Sequence, residues 1–127
     1  MSKKVYIDSS LQMSPEDAMI IAKFCKDCCT DLNLSCDFGV YIVADKKKHG
    51  IKTTAYFNPN NNKICVLGLS RHVLDICRSV AHEMVHMMQN ETGLINGPVK
   101  DIGGFHEDQA NAKAGEIVKR FIYKMNL

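Results

Sequence analysis

Apolar and polar positions along the chain alternate in two ways. Ala18, Ile21, Ala22, Cys25, Cys28, Cys29 and Leu32 recur at three-to-four spacing, the repeat of a helix with one buried face. Ser14-Pro15-Glu16-Asp17 supplies its start, with Ser as cap, Pro at the first helical position and acids in the first turn. This helix is expected to run to about residue 33. Before it, residues 5–7 form a short strand or an ordered arm. After it the period shortens. Residues 37–44 and 53–57 are rich in β-branched and aromatic side chains and predict two strands, separated by a turn over 46–50. Asn58-Pro59-Asn60-Asn61-Asn62 is a dense turn signal, so Lys63–Leu67 is expected as a third strand antiparallel to the second.

The helical period then returns. Val73, Ile76, Cys77, Val80, Ala81, Met84 and Met88 share one face of a long helix, with Ser70 as the expected cap and Gly93 as its stop. Residues 95–104 contain Gly97-Pro98 and Gly103-Gly104 and are expected to be loop. A final helix opens near Phe105 or His106 and continues to about residue 124, with Ala110, Ala114, Ile117, Val118, Phe121 and Ile122 as its buried stripe. These elements predict an α+β domain spanning 1–127: a small mixed or antiparallel sheet of about three strands, packed with an N-terminal helix, a central helix and a C-terminal helix.

Composition narrows the classes. The 127-residue chain has ordinary apolar and charged fractions and a net charge of +2, too small to point to nucleic acid. Lys46-Lys47-Lys48-His49 is expected to be a solvated turn. No apolar run is long enough for a secretory core or a membrane span, which makes the cytoplasm the expected compartment. Of the six cysteines, Cys25 and Cys28 form a C-x-x-C, but no second such pair completes a zinc site. They fall on the apolar stripe, and Cys36, Cys65 and Cys77 also sit among apolar neighbours, so all are expected to pack as small hydrophobes.

The chemistry is concentrated in His82-Glu83-Met84-Val85-His86. Residues four apart lie on one helix face, so His82 and His86 can present two imidazole nitrogens to one zinc ion, with Glu83 beside them as a general base. A catalytic zinc takes three protein ligands. Asp101, His106, Glu107 and Asp108 follow the motif as candidates for the third. Glu107 is the foremost, because Asn111 lies one turn further on the same face and can steady a ligand histidine. His106 is the alternative. An oxyanion helper is sought among His106, Tyr56, His72 and Arg71, and the edge strand for an extended substrate at Lys63–Leu67.

Together, His82-Glu83-Met84-Val85-His86 and Glu107-Asp108-Gln109-Ala110-Asn111-Ala112-Lys113-Ala114 resemble the gluzincin branch of zincin metallopeptidases. They look closest to the compact ImmA/IrrE-type peptidases, whose second motif reads roughly E-x-x-A-N-x-x-A. The resemblance covers about residues 64–121. It implies a minimal zincin fold, with zinc on His82, His86 and Glu107 and with Glu83 as the base. It implies hydrolysis of a protein or peptide substrate; from the modest charge and the lack of a long apolar run, no nucleic-acid or membrane partner is expected. The metzincin extension is absent: Gln89 stands where its Gly would be and Thr92 where its third His would be. Met84-Val85 replaces the Leu-Gly common in the ImmA type. The chain shows no DNA-binding helical domain of the kind often fused to such peptidases, and so small a zincin also resembles those encoded by phages. Two other classes stay open: a zincin fold kept as a binding module with little turnover, and a zinc hydrolase of another bond such as an RNA phosphodiester.

Overall fold

The computed structural model describes residues 3–93 and 105–127. The loop expected over 95–104, with its candidate ligand Asp101, lies outside the described residues. In chain order the elements are β1 (Lys3–Ile7), a 3-10 turn (Ser9–Leu11), α1 (Pro15–Asp31), β2 (Phe38–Val43), β3 (Ala55–Asn58), β4 (Lys63–Leu67), α2 (Val73–Glu91) and α3 (Phe105–Met125). The class is α+β, as the periodicity predicts. No helix among these residues is long and apolar enough to cross a membrane.

The sheet has four strands, not three, in the order β1-β2-β4-β3. Residues 5–7 belong to a true strand: β1 pairs in parallel with β2, Val5 opposite Val40 and Ile7 opposite Ile42. β2 pairs in parallel with β4, and only the β3–β4 pair is antiparallel. This arrangement corrects one expectation. Lys63–Leu67 is an interior strand, and the edge is β3. The run Ile64-Cys65-Val66 is fully buried, which follows from its having a strand on either side and side chains covered on both faces.

Register divides the side chains between two faces. Val40, Ile42, Ile64 and Val66 point to the helices and join the main core. Val43, Cys65 and Ile51 form a smaller cluster on the opposite face, flanked by Tyr41, Tyr56 and Leu67. Tyr6 stacks on Tyr41 there, with ring centroids 4.7 Å apart.

α1 begins as expected: the Ser14 hydroxyl accepts from the Asp17 amide at 3.1 Å. α2 does not. Its cap is His72, whose Nδ1 accepts from the Leu74 amide at 3.1 Å, while Ser70 adopts a left-handed φ of 57°. The chain between β4 and α2 is held by Gly68, whose amide donates to the Val43 carbonyl at 2.9 Å. A Cβ at Gly68 would stand 2.7 Å from Ile42 Cγ2, so only glycine allows this approach. The helix therefore starts after the chain has turned clear of the sheet. α2 stops where expected, at Gly93 with φ +80°.

α2 is the central element, packed against the sheet, α1 and α3. Its buried surface is wider than a single stripe: Val85, Met87 and Gln89 are as inaccessible as Val80 and Met84. α3 lies against it through Ala110, Ala114, Ile117, Val118 and Phe121, and the ring of Phe121 meets Phe24 of α1 edge-on at 5.1 Å.

All six cysteines are free, and Cys25, Cys28, Cys65 and Cys77 are buried, as the apolar stripe predicts. Cys29 and Cys36 are only partly covered. Burial raises the Cys25 and Cys28 thiols, and pushes Cys77 up to about 12. Since the thiolate is the reacting form, brief alkylation of the native protein at pH 8 should label Cys29, label Cys36 more slowly because burial and the nearby Glu91 raise its thiol, and spare the other four. Peptide mapping by mass spectrometry reads the pattern, and labelling of Cys25 or Cys77 at the rate of Cys29 would contradict the packing.

Candidate metal centre

His82 and His86 lie one turn apart on α2, and Glu107 sits in the first turn of α3. The packing of α3 on α2 brings these side chains to one point. His86 Nε2 is 3.2 Å from His82 Nε2, and Glu107 places Oε1 2.5 Å from His82 Nε2 and Oε2 3.2 Å from His86 Nε2. One ligand atom from each residue lies within 4.8 Å of the others, the one such group among the described residues. His106, the alternative third ligand, is not in it; its ring lies edge-on to Phe105. Cys25 and Cys28 are not in it either.

The donor set fits a zinc ion. Ligands about 2.0–2.2 Å from zinc at tetrahedral angles stand about 3.3–3.6 Å from one another. The two 3.2 Å separations are close to this, and the contact of Glu107 Oε1 with His82 Nε2, at 2.5 Å, is shorter. The proton inventory agrees. His86 Nδ1 faces Gln89 Oε1 at 2.8 Å. The Gln89 amide nitrogen donates to the His106 carbonyl at 3.0 Å and to Gln109 Oε1 at 2.7 Å, which fixes the amide oxygen toward His86. The Gln89 amide oxygen can then accept from His86 Nδ1, which leaves Nε2 as the ring atom facing the cluster. Burial lowers the His82 pKa, against the opposing pull of the Glu107 carboxylate, which favours the neutral ring. Glu107 Oε2 is buried without a hydrogen-bond partner. Two imidazole nitrogens and a buried carboxylate oxygen converge, and a bound cation would satisfy all three.

Asn111, one turn after Glu107, hydrogen-bonds His82 from α3. Glu83 is 6% exposed and faces the same cavity as His82. That cavity, of about 330 Å³, is lined by Thr53, Thr54, Ala55, Arg78, Ser79, His82, Glu83, Glu107 and Asn111. A larger open concavity of about 830 Å³ lies along the end of α3, among Lys119, Arg120, Tyr123 and Lys124, and contains no metal-ligating set.

None of the other oxyanion candidates lines the cavity. Arg71 is spent on the Leu67 and Asp75 carbonyls and on Ser79 Oγ. His72 caps α2. Tyr56 lies on the far face of the sheet, where burial pushes its phenol up to about 12. The cation that does line it is Arg78, four residues before His82 on the same helix face. Helical spacing from the motif could have found it.

Gln89 is the other residue that sequence reasoning does not pick out: it stands in the sequence as a departure from the metzincin motif, yet it lies three residues after His86, one turn on, and is fully buried. Partners that orient a ligand histidine typically contribute about ten- to a hundredfold in metal affinity. Gln89→Leu keeps the volume and removes all three ties. It should raise the zinc dissociation constant by about that factor, measured by competition with a chromophoric chelator. An unchanged constant would show that Gln89 serves packing alone.

No family model matches the sequence, and no curated protein matches it. The crystal structure of a Wss1 mutant from Saccharomyces cerevisiae matches by fold, with a TM-score of 0.51 over 98% of this chain and 94% of that one, at 15% identity. The likeness is one of fold. It spans all three helices and the sheet, and the His82, His86 and Glu107 group that this fold assembles is compatible with zinc.

Proposed function

We propose that the chain, acting as one domain, is a zinc-dependent peptidase of gluzincin type, with His82, His86 and Glu107 as ligands, Asn111 steadying His82, and Glu83 as general base. The observation that carries this reading is the convergence of the three ligand side chains at a cavity that Glu83 also faces. The fold likeness to Wss1 and the resemblance of the two motifs support it.

Zinc bound there supplies a Lewis acid for a peptide carbonyl and acidifies water. The protein's own part is proton movement and positioning. The Glu83 carboxylate takes a proton from the attacking water as the new C–O bond forms. It returns that proton to the amide nitrogen as the C–N bond breaks. β3 borders the cavity through Ala55, with Thr53 and Thr54 just before it, and no strand among the described residues pairs with its outer side. An extended substrate can add there as a further strand. This moves the substrate-binding edge from Lys63–Leu67 to β3.

The test is incubation of the zinc-loaded protein with an unfolded protein mixture and a peptide library, following new amino termini by mass spectrometry. New termini should appear, vanish after zinc is stripped and return when zinc is restored. Full zinc loading with no cleavage would favour a binding module. Cleavage of an RNA mixture but of no peptide would favour a phosphodiester hydrolase.

A further inference from the structure

The geometry points to Arg78 as the side chain that selects a carboxylate on the substrate, so that the cleft prefers a peptide with an acidic group within about two residues of the bond cut. This rests on the peptidase reading above.

The chain has three arginines. Arg71 is fastened by three oxygen acceptors. Arg120 shares its charge with Asp31 at 3.5 Å and Glu116 at 3.9 Å. Arg78 differs from both. It takes part in no ion pair among the described residues, yet it lines the cavity that holds His82, Glu83 and Glu107. Four helical residues separate it from His82, about 6 Å along the axis. An extended peptide covers that distance in about two residues at roughly 3.3 Å each.

Its guanidinium runs beside α3. Gly115, in the interior of α3, stands across from Arg78, and Arg78 Nη2 is 3.6 Å from where a Gly115 Cβ would be. That distance is an ordinary van der Waals contact, so α3 flanks the guanidinium without pressing on it. A planar guanidinium with free N–H groups pairs with a carboxylate through two parallel hydrogen bonds, and lysine cannot reproduce that fork. The other charges of the cavity are the Glu107 carboxylate, which faces the two histidines, and Glu83. A substrate carboxylate therefore finds its partner at Arg78, set off from the ligand cluster by one helical turn.

Carboxylates come from aspartate or glutamate side chains and from a free chain terminus, and the experiment separates the two. Zinc-loaded wild type is given a positional peptide library, then matched peptides carrying Asp or Asn at the favoured position, each with a free or an amidated carboxyl terminus. A hydrogen-bonded charge pair contributes about ten- to a hundredfold in binding. The Asp peptide should exceed the Asn peptide in kcat/KM by that factor, mainly through KM. If instead Asp and Asn peptides are cut alike and amidation lowers the cleavage of both by that factor, the carboxylate read is the terminal one. Arg78→Gln should bring the ratio toward one with zinc content unchanged, and Arg78→Glu should turn the preference toward lysine. Affinity of the same peptides for zinc-loaded Glu83→Gln protein, by calorimetry, should show the same ratio without turnover. An Arg78→Gln protein that keeps the wild-type Asp/Asn ratio overturns the proposal, as does a wild type that cuts without acidic preference. In both cases the peptidase reading survives. A wild type that cuts no peptide overturns both.

Discussion

Glu83→Gln is expected to lower peptide cleavage by about a hundredfold to ten-thousandfold, the usual loss for a positioned general base, while zinc content and melting temperature stay near wild type. Glu83 is one residue past His82 but stands outside the group of three ligand side chains. Glutamine preserves its size and its capacity for hydrogen bonds, and loses only the basic carboxylate. The side chain is 6% exposed, and a buried carboxylate is harder to desolvate than a buried amide, so burial itself does not disfavour the glutamine. The measurement pairs elemental analysis and thermal melts with the appearance of new amino termini. A variant that cuts as fast as wild type would assign the cleavage to another mechanism or to a contaminant.

The second large effect is expected at His86. His86→Ala should abolish stoichiometric zinc and lower the melting temperature for two separable reasons. The first is loss of an ion that joins α2 to α3, and metal binding to a folded site is folding free energy. The second persists without metal. His86 is 3% exposed, and its removal leaves the Gln89 amide oxygen without its partner at a fully buried position. An unsatisfied buried polar group costs about 1–3 kcal/mol. Melts of wild type with and without a chelator isolate the first part, and chelated wild type against chelated variant isolates the second. Glu107→Ala should weaken zinc retention far more than His106→Ala, because only Glu107 reaches the two imidazoles. Full zinc in the His86→Ala protein would remove the site.

What could be read from the chain was what local periodicity encodes. The i, i+4 spacing of His82 and His86, the Ser14 cap, the Asn-rich turn before β4 and the Gly93 stop each depend on a few neighbouring residues. What could not be read was decided by distant pairing. Nothing near residues 5–7 says that they will lie beside β2. The alternation in β4 does not say how many strands flank it, although its unbroken apolar triplet was a hint of burial on both faces. The cap of α2 moved to His72 because Gly68 is drawn against Ile42, a contact across the sheet. Gln89 and Arg78 are on the page as helical neighbours of the motif. Their use depends on where α3 docks, which only the packing shows.

The length of β3 has a consequence for how a substrate could be held. Thr54 accepts a hydrogen bond from the Leu67 amide. Alternation then turns the N–H and C=O groups of Ala55 and Phe57 outward along the free edge. Four backbone groups, at about 0.5–1.5 kcal/mol each, give an incoming strand roughly 2–6 kcal/mol. Fixing the backbone of about four of its residues costs a comparable amount. Main-chain pairing alone therefore leaves a short peptide nearly unbound. Turnover on this edge would respond to local concentration more than to sequence-independent grip. Tethered or already unfolded segments held close to the cleft would be cut at the expense of free peptides in solution.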